Sequence, residues 1–249
     1  MCKVFHSLPL DEVHVFAVGY NEQMDPNMPY ALKKALSDTR VRQIPKGQII
    51  IYEGDPTVEV YVIKSGVIKL HHPNGQGDKV LHLLKFPAVL PLAYFSGGNK
   101  ATRWTYTALT DCELYVFRVE VLRELMLGDA QTVRYLVNHF SEDVHEVLVR
   151  LESLGKSDMN AKLGSALRYL AAVHGKKWRG AWVRIPFTVT NQLLADMIGV
   201  TRESASTAMK TLADKNIARY PRFAQLEINV NNLHAFIESL QQGETNSKA

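Results

Sequence analysis

The chain changes its hydrophobic periodicity along its length, and each change indicates a different kind of secondary structure. Between residues 47 and 117, short β-branched or aromatic runs alternate with turn sequences rich in Gly, Asn and Pro. The runs are GQIIIY, EVYVIK, GVIKLHH, KVLHLL, WTYTALT and CELYVF. Several short strands with close turns predict an antiparallel sandwich or β-roll. A helical period replaces this pattern from Glu120 onward.

A strict apolar repeat lies within the helical part. Its members are spaced alternately four and three residues apart: Val133, Val137, Phe140, Val144, Val147, Leu151 and Leu154. A helix packed on its own domain has a wider apolar stripe, whereas this narrow a/d seam is typical of a two-stranded coiled coil. We therefore predict a dimerisation helix over residues 126–155, with packing inside its own domain as the alternative.

Residues 188–214, TVTNQLLADMIGVTRESASTAMKTLAD, predict two short helices joined by a tight turn. Thr190 is a candidate N-cap for the first helix, 191–198, and Thr201 for the second. Gly199 between them suits a left-handed turn. A buried stripe is expected in the second helix at Ala205, Ala208, Met209 and Leu212. This is the pattern of a helix-turn-helix.

The outward face of the second helix carries groups suited to a DNA major groove: Arg202, Glu203, Ser206, Thr207 and Lys210. A guanidinium can donate to guanine O6 and N7, and a carboxylate can accept from cytosine N4. Residues 217–228 then predict a strand, a turn and a strand, which would form a wing. Arg219 and Arg222 are expected to face DNA phosphates from that wing. An αα-hairpin with a charged outer face is the simpler alternative.

The net charge of +4 is unevenly distributed along the chain. Residues 1–155 contain 16 Lys and Arg against 18 Asp and Glu, a net charge of −2. Residues 156–228 contain 12 against 5, a net charge of +7. A basic excess around the helix-turn-helix favours double-stranded DNA as the partner over a merely solvated basic face.

Composition excludes several other classes of protein. No run of about 18 apolar residues and no signal peptide is present, so we expect a cytoplasmic protein without a membrane segment. The two cysteines, Cys2 and Cys112, are too few for an ordinary iron–sulfur cluster, and we expect them to be reduced. Neither a phosphate-binding Gly loop, a zinc-ligand spacing nor a nucleophile elbow occurs, so we predict no enzyme and no metal site.

These patterns together predict an α+β protein with an N-terminal antiparallel β-roll, a long dimerisation helix and a C-terminal winged helix-turn-helix. A short helix is expected at 30–36 and a last helix at 232–240. The expected order is an extension at 1–29, the roll at 30–125, the dimerisation helix at 126–155, the winged domain at 156–240 and a disordered polar tail at 241–249.

This order resembles the cyclic-AMP receptor protein / FNR family of bacterial transcription regulators over about residues 30–232. The most specific matching segments are KGQIIIYEGD, VYVIKSGVIKL and GVTRESASTAMKTLADKNI. The resemblance implies a homodimer that contacts RNA polymerase and reads base edges through Arg202 and Glu203. It also implies phosphate contacts by Thr190, Gln192, Thr201 and Ser204. The family often has a second Arg where this chain has Thr207, which implies a different half-site.

The effector pocket departs from the cyclic-nucleotide pattern of that family. The family's Gly-Glu-Leu segment is replaced here by Leu90-Pro91-Leu92, and Pro91 cannot accept a hydrogen bond from a ribose hydroxyl. Arg103 and Trp104 stand near the place of the Arg-Ser pair that holds the cyclic phosphate. We therefore expect no cAMP or cGMP binding, and either a filled pocket or one for a small apolar ligand.

Two alternative functions remain open from the sequence. The first is a haem-based gas sensor with the same DNA output, with ligands drawn from His71, His72, His82, Cys2 and Cys112. We favour solvated strand histidines and no cofactor, since adjacent His71 and His72 point to opposite faces of a strand. The second is a regulatory module whose winged domain docks onto another protein.

Overall fold

The computed structural model describes residues 25–56, 58–74, 77–91, 101–156, 158–221 and 225–246. The chain divides into two compact units, and the division falls after Leu148, within a long helix. Each unit has its own sheet structure.

The first unit is a roll of two four-stranded antiparallel sheets behind a short helix. The sheet orders are β1-β8-β3-β6 and β2-β7-β4-β5. The elements are α1 (Tyr30–Ser37), β1 (Val41–Ile44), β2 (Ile49–Ile51), β3 (Glu59–Ser65), β4 (Ile68–Asn74), β5 (Gly77–Leu84), β6 (Val89–Leu90), β7 (Thr105–Ala108) and β8 (Cys112–Arg118). All six predicted strands and the predicted helix are confirmed. Strands β1 and β6 were not predicted, because they have only four and two residues.

Two hydrophobic clusters stabilise this unit. The first lies between the sheets and includes Ile63, Tyr106 and Leu114, each fully buried. The second covers the other face of the β1-β8-β3-β6 sheet with apolar residues of α1 and of the long helix, such as Leu32 and Leu136. The long helix is therefore packed on the roll along one face.

The helical segment after the roll is two helices rather than one. These are α2 (Val119–Gly128) and α3 (Ala130–Leu154). The prediction of one dimerisation helix over 126–155 is wrong at its start, because Asp129 has an extended backbone (φ −139°, ψ 102°). Its carboxylate accepts hydrogen bonds from the backbone N–H groups of Gln131 (3.3 Å) and Thr132 (3.1 Å), which caps α3.

The end of the N-terminal extension packs against α3. Met28 is 3% exposed and belongs to the second cluster. The hydroxyl of Tyr135 donates to the carboxylate of Asp25 at 2.8 Å. Burial, together with that carboxylate, raises the pKa of Tyr135 far above its ordinary value. Residues 25–29, assigned by sequence to a separate extension, thus pack within the first unit.

Two of the three strand histidines are buried, so the expectation that all three are solvated is wrong. His71 is 6% exposed and His82 is 3% exposed, whereas the side chain of His72 is about half exposed. Nε2 of His71 lies 2.9 Å from the hydroxyl of Thr107. Burial lowers the pKa of His71, and nearby Lys69 acts in the same direction, so the neutral ring is favoured. Cys112 is also buried.

The second unit is a four-stranded antiparallel sheet with helices packed around it. The sheet order is β11-β12-β10-β9. Its elements are α4 (Met159–His174), β9 (Lys176–Lys177), β10 (Trp182–Thr188), α5 (Asn191–Ile198), α6 (Arg202–Asp214), β11 (Ala218–Arg219), β12 (Gln225–Asn229) and α7 (Val230–Asn246). The tail predicted to be disordered at 241–249 is helical as far as Asn246, because Gln and Glu continue a helix readily. In the described chain, no helix is both long and apolar enough to cross a membrane.

Candidate nucleic-acid interface

The first helix of the motif, α5, is fixed at both ends by the residues that the sequence indicates. The hydroxyl of Thr190 accepts from the backbone N–H of Leu193 at 3.0 Å. At the other end Gly199 adopts φ 71° and ψ 42°, the left-handed conformation that glycine takes without a steric penalty. The turn between the two helices is therefore short and well defined.

The second helix, α6, begins with a hydroxyl pair. The hydroxyl of Thr201 accepts from the backbone N–H of Ser204 at 3.2 Å and donates to the hydroxyl of Ser204 at 3.0 Å. Both predicted N-caps are thus confirmed. The first turn of α6 leaves backbone N–H groups and a partial positive charge pointing outward, which favours a nearby phosphate.

The two faces of α6 differ as the spacing predicts. The four residues of the predicted stripe are all buried, with Ala205 and Leu212 fully enclosed. The opposite face is exposed at Arg202, Glu203, Ser206, Thr207 and Lys210. Within the described part of the chain neither Arg202 nor Lys210 makes an ion pair, so both charges are available to an external anion.

The remaining predicted phosphate contacts lie beside this face. Thr190 and Gln192 are exposed at the start of α5, and Ser204 is half-buried. The amide nitrogen of Gln192 donates to the carboxylate of Asp196 at 2.7 Å, which orients that side chain along α5. The hydroxyl of Thr207 donates to the backbone carbonyl of Glu203 at 3.0 Å, so it has a partner before any base approaches.

The described part of the predicted wing carries an internal ion cluster. Glu227 on β12 faces Arg184 on β10 and Arg219 on β11, which are its cross-strand neighbours. Its carboxylate accepts from Nε of Arg184 at 2.9 Å and from Nε of Arg219 at 2.8 Å. The guanidinium of Arg219 also stacks 3.9 Å from the ring centroid of Trp182. Arg222 lies outside the described residues.

This ion cluster changes the role expected of Arg219. A guanidinium that already binds a carboxylate has less charge to offer a phosphate. The phosphate contact by Arg219 stays a prediction, and the Glu227 carboxylate would compete with the phosphate for its guanidinium. Glu227 was not predicted as a functional residue, because its pairing is set by strand register, which joins residues distant in sequence.

Replacing Glu227 with glutamine is expected to destabilise the second unit. Burial alone would raise the pKa of Glu227, but the hydrogen bonds from Arg184 and Arg219 hold it below the ordinary 4.5. We expect a loss of about 1–2 kcal/mol at pH 7, less than for a fully enclosed pair, because Arg219 is half exposed. Urea unfolding monitored by circular dichroism measures this loss.

The pH dependence of that loss gives a second readout. A carboxylate with a lowered folded-state pKa contributes stability above its unfolded pKa, and this contribution disappears as the pH falls through the folded pKa. The difference in free energy of unfolding between wild type and Glu227→Gln should therefore become smaller when the pH is well below 4.5. Glu59→Gln is the matched control, since Glu59 pairs with Arg40 and Arg42 but is 35% exposed. An equal loss in both variants contradicts the prediction.

Both units match known families. The cyclic nucleotide-binding domain family matches residues 41–129, and the Crp-like helix-turn-helix domain family matches residues 161–237. The chain belongs to the CRP/FNR family of transcription regulators. It is accordingly a DNA-binding transcription regulator, and its relatives are regulators rather than enzymes.

Two relatives and one solved structure are similar to this CRP/FNR regulator. It is 28% identical over 177 residues to the transcriptional regulator ArcR of Staphylococcus epidermidis. The aligned region covers 71% of this chain and 77% of ArcR. It is 23% identical over 212 residues to a CRP-like cAMP-activated global regulator of Mycobacterium tuberculosis, covering 84% and 92%. The structure of the c-di-GMP-responsive regulator CLP of Xanthomonas campestris matches with a TM-score of 0.66 at 18% identity, covering 80% and 97%.

Two of the three described residues of the predicted effector pocket, Pro91 and Trp104, are apolar and at least partly buried in this regulator. Pro91 is buried at the end of β6, and Trp104 packs against the cluster between the two sheets. Arg103 is exposed. Leu92 lies outside the described residues, as does the rest of the segment up to residue 100. The structure thus does not bring the four predicted pocket residues into one described site.

The predicted dimerisation seam is largely uncovered in the single chain. Val137, Phe140, Val144 and Leu151 are 51%, 39%, 41% and 57% exposed. Val133, Val147 and Leu154 are half-buried. Such a row of exposed apolar side chains is unusual for a surface that faces only water.

A hydrogen bond between the end of α3 and α5 involves a residue that the sequence did not indicate. Arg150, near the end of α3, is 6% exposed, and its Nη2 donates to the backbone carbonyl of Met197 at 2.9 Å. Met197 lies in the last turn of α5, where the backbone carbonyls have no hydrogen-bond donor within the helix. The end of α3 therefore contacts the first helix of the DNA-binding motif directly. No local sequence pattern marks Arg150, because its partner is a backbone atom 47 residues away.

Proposed function

We propose that this regulator acts as a homodimer on a two-fold symmetric DNA site. The exposed apolar seam of α3 supports a second copy as the partner, because an a/d row pairs with an identical row. Two-fold symmetry would set the two α6 helices about 34 Å apart, one turn of DNA, so that each reads one half-site.

One observation carries the DNA-reading proposal: Arg202 and Glu203 are exposed on the first turn of a helix that is buried on its opposite side, and neither forms an ion pair with a described residue. In this arrangement the backbone is held rigidly while the two side chains can reach base edges. We assign base contacts to Arg202 and Glu203, and phosphate contacts to Thr190, Gln192, Thr201, Ser204 and Lys210. RNA polymerase is the protein partner that such a cytoplasmic regulator would contact.

The test is selection of duplexes from a random DNA pool by the full-length protein, followed by fluorescence anisotropy on the selected site. We expect a palindromic consensus and two chains per duplex. Affinity should fall steeply with salt, because bound phosphates release counterions. An absence of any binding at low salt would instead favour the protein-docking alternative.

We further propose that the effector is not a cyclic mononucleotide, and that no cofactor is required. The relatives named above are described as responding to different molecules, cAMP in one case and c-di-GMP in the other. Effector identity therefore differs between proteins of this architecture. Pro91 offers no side-chain acceptor for a ribose hydroxyl, and it is buried.

Isothermal titration of the purified protein with cAMP is expected to give no heat of binding at micromolar concentrations. A charged phosphate enclosed without its hydrogen-bond partners would lose several kcal/mol of binding free energy. An absorption spectrum of the same sample tests the haem alternative through its Soret band. Micromolar affinity for cAMP would overturn the effector proposal and leave the DNA-binding proposal intact.

A further inference from the structure

Strand β5 and helix α3 bring three potential metal ligands together on the inner side of α3. His82 lies on β5, while Asp143 and Glu146 are three residues apart on α3 and so share one face of that helix. Nε2 of His82 lies 3.5 Å from Oδ1 of Asp143 and 3.8 Å from Oε2 of Glu146. One ligand atom from each residue lies within 4.8 Å of the other two.

The spacing of these atoms suits a shared ion better than direct hydrogen bonds. Hydrogen bonds between nitrogen and oxygen are usually 2.7–3.2 Å long, and both distances from His82 are greater. Two ligands held about 2.1 Å from one tetrahedral ion are roughly 3.4 Å apart. Small side-chain movements would therefore bring all three atoms to bonding distance.

The surroundings also favour a cation at this place. His82 is 3% exposed, and both carboxylates are half-buried. Positive charge placed beside Glu146 would stabilise its ionised form.

We propose that His82, Asp143 and Glu146 bind one divalent first-row transition ion, with water completing the coordination. An imidazole with two carboxylates suits ions such as Zn²⁺, while the absence of thiolate from this set disfavours Cu⁺. The site shares only His82 with the candidate ligands of the haem alternative, and it does not require haem. It does not rest on the DNA-binding proposal.

Lys85 is the main competitor of the ion. Its ammonium group interacts with the charges of Glu146, Asp143 and Glu142. A divalent ion bound between the carboxylates would be repelled by this neighbouring positive charge. Removing the amine should therefore strengthen metal binding.

The test uses the full-length protein, treated with a chelator and then titrated with ZnCl₂ by calorimetry. We expect one high-affinity ion per chain and a rise in melting temperature with Zn²⁺, because the ion binds the folded state. His82→Gln and Glu146→Gln should each lower the affinity at least about tenfold. Lys85→Met should raise it. Co²⁺ in place of Zn²⁺ should give visible absorption bands from the same site.

His234→Gln is the matched control, since His234 also faces a carboxylate, that of Glu238, but on the exposed surface of α7. It should leave both the affinity and the melting shift unchanged. Glu146→Gln is the conservative variant if His82→Gln fails to fold. The proposal is overturned if calorimetry detects no binding at Zn²⁺ concentrations up to about 100 µM. So does equal binding by wild type, His82→Gln and Glu146→Gln, which would place the ion elsewhere.

Discussion

Replacing Arg202 with alanine is expected to weaken binding to the selected DNA site by about 1–3 kcal/mol, or roughly 5- to 150-fold. The guanidinium lies on the first turn of α6, where it is exposed and makes no ion pair with any described residue. A hydrogen bond from this group to a base edge would contribute binding free energy mainly on the selected sequence and little on other sequences. Anisotropy titrations on the selected duplex and on a scrambled duplex of equal length measure both effects.

Two further variants distinguish a contact with a base from general electrostatic attraction to DNA. Arg202→Lys keeps the positive charge but loses the two-pronged geometry, so it should bind the specific site nearly as poorly as Arg202→Ala. Arg168→Ala removes one exposed positive charge from α4 in the same unit and should leave the preference between the two duplexes unchanged. If Arg202→Ala weakened both duplexes equally, Arg202 would contact a phosphate and not a base.

Replacing Phe140 with aspartate is expected to convert the proposed dimer into monomers. Phe140 lies in the middle of the exposed seam, and a two-fold axis would bring two aspartates close together in an apolar interface. We expect association to weaken by at least ~3 kcal/mol, or more than about a hundredfold. Sedimentation velocity at micromolar concentration measures the change, and affinity for a full palindrome should fall with it.

The fold of the chain should survive this substitution, because Phe140 is 39% exposed in the single chain. Asn138→Asp is the control: it adds the same charge to an exposed position of α3 that is outside the a/d repeat. That variant should remain dimeric. A monomeric wild type, or a Phe140→Asp variant that stays dimeric with full DNA affinity, would show that the seam has another role.

The features that the sequence predicted well are those fixed by neighbouring residues. Thr190 and Thr201 cap the helices that follow them, and Gly199 adopts the left-handed turn between them, because each role depends on only four or five residues. The strands of the roll were equally clear from their β-branched runs. The order of the units followed from the same patterns, and the family resemblance added the expected roles of individual residues.

The features that the sequence did not predict depend on residues distant along the chain. Glu227 meets Arg184 across 43 positions, and His82 meets Asp143 across 61. Both histidine burial and the ion cluster follow from which strands and helices pack together. The start of α3 was misplaced for a local reason, because an aspartate in an apolar helical pattern was not recognised as a cap.

The uncovered seam of α3 also has a consequence for gene dosage. If two chains must join before either helix reads its half-site, occupancy of the DNA at low abundance grows with the square of the chain concentration. A twofold change in copy number would then change occupancy about fourfold. The exposed valines and Phe140 would in this way make the response to expression level steeper than that of a monomeric regulator.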